Sequence, residues 1–190
     1  SDANNQTNRW AVESIAVDPN NSSVIYAGTR ADGLLRTFDG GQNWGVVSEV
    51  PKGLTEGPRP LGVRSLVFDG SLSIGDKSAV IYAGIPGTGI YYSVDGGDTF
   101  LPLAGAPEFP NRMEIAGTGS LVVAHNSGVA LYKDAKWSDI TPGEEAGRAF
   151  SGVTVDAADI NKIVVSRFEE AFNNPIYRTE DGGRSWTRIG

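Results

Sequence analysis

Thr37-Phe38-Asp39-Gly40-Gly41-Gln42-Asn43-Trp44 sits between two short apolar runs, and the phrase returns twice. The second copy is Ser93-Val94-Asp95-Gly96-Gly97-Asp98-Thr99-Phe100, and the third is Thr179-Glu180-Asp181-Gly182-Gly183-Arg184-Ser185-Trp186. A hydroxyl, an Asp, a Gly pair, a small polar residue and an aromatic recur at fixed spacing. Flanked by strand-like runs, such a phrase predicts a hairpin turn. Glycine reaches positive φ without a Cβ penalty, and a short carboxylate accepts hydrogen bonds from amides that the turn leaves unpaired. The closing aromatic then lies on the next strand and anchors it against a neighbouring sheet. Asp39, Gly41 and Trp44, then Asp95, Gly97 and Phe100, then Asp181, Gly183 and Trp186 are therefore assigned structural roles. The spacing lacks the alternating oxygen ligands and distal Glu of a calcium loop.

Working outward, the same strand order precedes each turn. Val12–Val17 is followed by Asp18-Pro19-Asn20-Asn21, then Val24-Ile25-Tyr26-Ala27-Gly28, then Leu34-Leu35-Arg36. Val63–Phe68, a polar turn from Asp69 to Lys77, Val80-Ile81-Tyr82-Ala83-Gly84 and Ile90-Tyr91-Tyr92 repeat that order. A third unit keeps the strands but reduces the turn to Lys133-Asp134-Ala135-Lys136-Trp137, and a fourth restores it. Repeats of roughly 40–50 residues with four short strands each are the mark of propeller blades. No stretch carries sustained helical periodicity. The expected fold is all-β: a β-propeller of four-stranded antiparallel blades, four in this chain, at about 10–50, 60–104, 111–141 and 150–190, forming part of a larger ring. Residues 1–9 read as a disordered polar arm, left by processing or by excision from a longer chain.

Composition removes several functions. The chain of 190 residues has a formal net charge of -7, which disfavours nucleic acid and anionic membranes. It has no Cys and one His, so thiolate chemistry and multi-histidine zinc sites are excluded, and no metal or cofactor is expected. No apolar run is long enough to span a bilayer.

The repeated phrase resembles the Asp-box, or BNR repeat, of sialidase-like β-propellers. The frames Ile15-Ala16-Val17-Asp18-Pro19-Asn20, Gly33-Leu34-Leu35-Arg36-Thr37 and Trp137-Ser138-Asp139-Ile140-Thr141-Pro142 are similar to the first propeller of family 74 glycoside hydrolases, the xyloglucanases. So is the stretch from Ile176 to Ile189. The resemblance implies a secreted or periplasmic protein that contributes to a β-glucan-binding surface. Its partners would be a polysaccharide or oligosaccharide, and further blades from another chain or a second copy. The family's catalytic Asp lies in a Thr-Asp-x-Gly-Gly-Ala-Tyr phrase. Here Arg30 follows Thr29, Asp32 is displaced by two and the double glycine is missing, so the resemblance implies that the catalytic pair is absent. Catalytic residues are thus unidentified, with Asp32 the nearest.

In these propellers ligands meet the loops between second and third strands and the connections between blades, opposite the Asp-boxes. That places Arg30, Asp32, His125, Arg167, Glu169 and Phe172 on the binding face, joined by Arg59, Phe109, Arg112, Glu144, Glu145 and Arg148. Arg30 and Asp32 otherwise read as a solvated loop pair, and His125 as polar surface. Phe172 is a stacking platform for a pyranose, or packs with Phe168 on the blade. The alternatives are a protein-interaction or assembly propeller without a sugar ligand, and a sialidase-like hydrolase. The latter lacks its opening Phe-Arg-Ile-Pro phrase.

Overall fold

The computed structural model describes residues 12–54, 61–116, 119–167 and 174–190. The expected N-terminal arm therefore lies outside the described residues. The chain divides into two units, 1–109 and 110–190, each built from two four-stranded antiparallel sheets.

In the first unit, blade 1 comprises β1 (Val12–Val17), β2 (Ile25–Thr29), β3 (Leu34–Thr37) and β4 (Gly45–Val46), paired in that order. Blade 2 comprises β5 (Ser65–Ile74), β6 (Lys77–Ile85), β7 (Gly89–Ser93) and β8 (Leu101–Pro102). In the second unit, blade 3 comprises β9 (Pro110–Ala116), β10 (Ser120–His125), β11 (Gly128–Lys133) and β12 (Lys136–Asp139). Blade 4 comprises β13 (Phe150–Val155), β14 (Ile163–Arg167), β15 (Ile176–Thr179) and β16 (Thr187–Arg188). The fold class is all-β, with propeller-type blades; among the described residues the only helical piece is a 3-10 turn at Gly143–Glu145.

One feature differs from the sequence expectation. The polar stretch Asp69–Lys77 is not a long loop: Ser73 pairs Ser78 and Ile74 pairs Lys77, so the hairpin runs on to a tight turn past a register shift. Alternating Ser71, Leu72, Ser73 and Ile74 satisfy strand geometry even where both faces meet solvent. In blade 3, the reduced turn is a two-residue hairpin with Asp134 and Ala135 at φ 50 and 58, joining the pair Lys133–Lys136. That positive-φ geometry suits the twist of the flanking strands, so blade 3 turns without any Gly pair.

Each unit buries one core between its sheets. In the first, Val24, Tyr26 and Leu34 of blade 1 meet Leu66, Phe68, Ile81 and Phe100 of blade 2. The Tyr26 ring stands edge-on to Phe68 at 5.7 Å and tilted to Phe100 at 6.2 Å. In the second, Val122, Ala124 and Val129 of blade 3 meet Phe150, Val153, Ile163, Val165 and Tyr177 of blade 4. The β1–β2 turn adds a polar tie. The buried Asp18 carboxylate accepts from the Ser78 amide at 2.7 Å and the Ser78 hydroxyl at 2.5 Å, so blade 1 grips the start of β6.

The three Asp turns share one internal circuit. In the first, Thr37 Oγ1 donates to Asp39 at 2.7 Å and accepts from the Gly41 amide at 3.1 Å. Asp39 then accepts from the Asn43 amide at 2.9 Å and from its side-chain amide at 2.7 Å. Ser93, Asp95 and Thr99 repeat the circuit, as do Thr179, Asp181 and Ser185. Hydrogen bonds from Thr37 and Asn43 hold the Asp39 carboxyl well below the usual carboxylate range, and those from Ser185 and Thr179 do the same for Asp181. Partial burial pushes Asp95 up, but donors from Thr99 and Ser93 outweigh it and bring its pKa to about 2.

These depressed values fix the sign of a pH effect. An unfolded Asp titrates near about 3.9 and takes up its proton before the folded one does, so stability present above that pH drains away on acidification. The loss continues to about 2 for Asp95 and lower for the other two. The urea midpoint is expected to fall steeply through this window. Replacing all three Asp by Asn should lower the midpoint at neutral pH and flatten the fall. An unchanged slope in the triple variant would show that these turns do not carry the acid sensitivity.

Candidate functional site

Strand direction alternates within each blade, so the β1–β2 and β3–β4 turns share one end of the sheet. The Asp turns bond there: the Gly40 amide donates to Ser23 O, Gly96 to Ala79 O and Gly182 to Asn161 O. The opposite end of each unit carries the loops between second and third strands and the connection between blades. Most of the side chains nominated from sequence lie there, one group in each unit.

In the first unit, Arg30 and Asp32 follow β2. Thr29 organises the bend: its hydroxyl accepts from the Asp32 amide at 2.9 Å and donates to Gly33 O at 2.9 Å. Arg30 is ion-paired with Glu13 of β1, and both are partly exposed. Asp32 is half-buried. The connection to blade 2 crosses directly over this bend. The Val63 amide donates to Thr29 O at 3.1 Å, and the Ser14 hydroxyl to Val63 O at 3.0 Å. A Cβ on Gly62 would stand 1.8 Å from Thr29 O, so the crossing needs glycine. The bend that presents Arg30 and Asp32 is thereby braced from behind.

In the second unit, the β10–β11 turn presents His125. Its Nδ1 accepts from the Ser127 amide at 3.3 Å. Burial pushes the imidazole pKa down and Asp139 partly offsets this, so the ring is neutral at pH 7. Nearby, Asn111 donates to Asn126 Oδ1 at 2.9 Å and to Phe150 O at 2.8 Å, linking blade 3's turn to the first strand of blade 4.

Arg167, at the end of β14, turns to Glu145 of the 3-10 turn and forms a largely buried ion pair. The Tyr177 hydroxyl donates to the other oxygen of the same carboxylate. Burial, and then the adjacent Glu145 charge, push the Tyr177 phenol far above its usual range, so it stays a donor. Three elements are thus fastened by one carboxylate. No sequence signal marked Tyr177, because it reads as an ordinary inward-facing strand residue. Glu144 and Arg148 are exposed beside this cluster; Arg112 of β9 is also exposed, and its guanidinium lies 3.5 Å from Glu114. Glu169, Phe172 and Arg59 lie outside the described residues.

At the Asp-turn end, exposed Phe38 lies under two cations, with Arg36 at 5.2 Å and Lys77 at 5.5 Å from the ring centroid. Among the described residues no group of three or more His, Cys, Asp or Glu is placed to hold a metal, and no helix is long and apolar enough to cross a membrane.

Repeated four-stranded antiparallel sheets, three of them closed by the same self-bonded turn, define a β-propeller protein. Comparison narrows the class. No protein-family profile matches the chain. A xyloglucanase of Paenibacillus sp is 29% identical over 97% of this chain and 21% of its own length. A xyloglucanase of Acetivibrio thermocellus is 30% identical over 97% of this chain and 26% of its own. The solved structure of a GH74 enzyme from Niastella koreensis superposes with a TM-score of 0.78 and 32% identity, covering 92% of this chain and 28% of that one. The chain is a GH74-like propeller segment, and it spans about a quarter of the length of the relatives it matches.

Proposed function

We propose that this chain forms part of a β-glucan-binding surface within a larger, secreted or periplasmic propeller protein. The observation that carries the proposal is the extent of the match: likeness to xyloglucanases runs through 97% of the chain. The geometry supports it. Arg30 with Asp32, and His125 with Asn111 and Asn126, stand at the ends opposite the Asp turns, on bends tied by hydrogen bonds to neighbouring segments. Neutral imidazole, amides and carboxylates supply the donors and acceptors that sugar hydroxyls need. Further propeller blades would complete the surface.

The reaction class, where the whole protein is an enzyme, is glycoside hydrolysis. Inversion needs two carboxyls about 6.5–9.5 Å apart with water between them. Asp32 is the acid nearest the family's phrase, and no partner acid is assigned to it. Titration calorimetry with xyloglucan oligosaccharides tests binding. Heat of binding is expected for the native chain, and at least tenfold weaker affinity for the double variant Arg30→Ala, Asp32→Ala. No heat at millimolar ligand would overturn the glycan reading. Release of reducing ends by this chain alone would overturn the absence of a catalytic pair.

A further inference from the structure

His125 is the chain's only histidine, and strand pairing decides what it faces. It closes β10 opposite Gly128 of β11, and Val123, two residues earlier, pairs Ala130. Ala130 in turn pairs Asp139 of β12. Directly paired residues share a face of the sheet, and so do residues two apart along a strand. His125, Gly128, Ala130 and Asp139 therefore stand on one face, with β11 between the imidazole and the carboxylate. What β11 places between them is a glycine and a single methyl group. Thr141 fills the slot at the glycine: a Cβ on Gly128 would stand 2.1 Å from Thr141 Oγ1. The same hydroxyl donates to Asp139 Oδ1 at 2.5 Å, and the Thr141 amide donates to that oxygen at 2.9 Å. Both bonds fall on one carboxylate oxygen, and Oδ2 has the capacity to accept another donor.

The turn after β10 depends on the form the ring takes. His125 Nδ1 accepts from the Ser127 amide, which only an unprotonated Nδ1 can do. That bond closes the turn, and Asn126 within it is tied to Asn111. A protonated ring carries a proton on both nitrogens, so it loses the Ser127 amide and needs an acceptor instead. Asp139 is the charged group that acts on the ring, and it favours the protonated form. On the neighbouring strands the residues opposite His125 are uncharged: Pro110 of β9 and Gly128 of β11. Arg112 and Glu114 of β9 pair Ala124 and Val122, and so lie on the other face. Phe150, where β13 begins, is apolar.

We propose that the β10–β11 turn is a proton-operated latch. With a neutral ring, His125 holds the Ser127 amide and the turn stands closed. With a protonated ring, His125 exchanges that amide for the Asp139 carboxylate, over Gly128 and Ala130, and the turn carrying Asn126 is released. Burial pushes the imidazole pKa down, so the unfolded chain takes up this proton before the folded one does. The closed turn's stability is therefore present at neutral pH and lost as pH falls through the imidazole range. The consequence for ligand rests on the glycan reading: unit 2 presents its amides above that range and withdraws them below it.

NMR of the native chain from about pH 8 to about pH 5 tests the latch. The Ser127 amide proton is expected to move upfield with the same midpoint as the His125 ring protons. Asp139→Asn keeps an oxygen for Thr141 but removes the charge, so the midpoint should shift to lower pH. Unchanged amide shifts in blade 4 would show that this variant folds. A Ser127 amide that ignores the ring titration overturns the latch, and so does a midpoint that Asp139→Asn leaves in place. Calorimetry with xyloglucan oligosaccharides tests the consequence separately. Native affinity is expected to be at least about threefold weaker near pH 5 than near pH 8, by linkage between proton and ligand. Equal affinity at both pH values, in a chain whose turn opens, would overturn the control of ligand by the latch. No heat at either pH would overturn the glycan reading, and the NMR midpoints would still decide the latch.

Discussion

Glu145→Ala is expected to destabilise the chain by about 3–5 kcal/mol, because it removes one partner of a buried ion pair. The carboxylate is engaged on both oxygens, by Arg167 and by the Tyr177 hydroxyl, and the Arg167 and Glu145 side chains are only 10% and 11% exposed. Alanine leaves a guanidinium and a phenol in place with their shared acceptor gone. Glu145→Gln keeps an oxygen for Tyr177 but loses the charge facing Arg167, so it should cost less. Tyr177→Phe removes one donor to a charged group and should cost about 1.5–3 kcal/mol. Urea unfolding of the three variants gives the order directly. A loss below about 1 kcal/mol for Glu145→Ala would mean that water replaces the carboxylate, contrary to its burial. The same variants loosen the end of β14 and the 3-10 turn, which share the end of the unit that presents His125.

The second large effect belongs to Gly97. It sits at φ 86, and an added Cβ would stand 1.9 Å from the Tyr26 hydroxyl and 3.2 Å from Ile81 Cδ1. Gly97→Ala is expected to cost about 3 kcal/mol, from left-handed backbone strain of about 1–2 kcal/mol together with overpacking. Tyr26 cannot swing aside, since its ring is fully buried against Phe68 and Phe100. Tyr26→Phe placed in the Gly97→Ala background removes the atom in collision and should restore part of the loss, leaving the backbone component and the close contacts with the ring and with Ile81. A double-mutant cycle by urea unfolding measures that coupling. Strict additivity of the two substitutions would show that the Tyr26 hydroxyl is not what the new methyl meets. Gly40→Ala, with nothing within 4 Å of its Cβ, isolates the backbone component alone.

The all-β blade architecture was legible because its signals are local. A hydroxyl, an Asp and a Gly pair specify their own turn within eight residues, and the apolar frames on either side specify strands. Blade 3 was legible despite its reduced turn, because Leu121, Val122 and Val123 still read as a buried strand. The stretch from Asp69 to Lys77 was misread as a polar turn, since Asp69-Gly70 and Gly75-Asp76 read as turn residues and outweighed the short alternation of Leu72 and Ile74 with serines. The polar cluster was less legible still. Arg167, Glu145 and Tyr177 lie on three different elements, and nothing in one element announces the other two. Trp44 shows the same limit from the other side. Its phrase matches that of Trp186, yet its surroundings depend on which sheet stands before it.

The Asp turn has a consequence for how such chains change over evolutionary time. Its polar groups are answered within four residues of one another, in each of the three copies. A stretch of gene encoding one blade can therefore be duplicated, lost or spliced beside a different neighbour without stranding those donors and acceptors. What a transplanted blade must renegotiate is only its two flat faces, where exchange of one aliphatic for another is inexpensive. Propellers of many sizes are then within reach of the same short cassette, and the ends of the blades are left free to diverge toward new ligands.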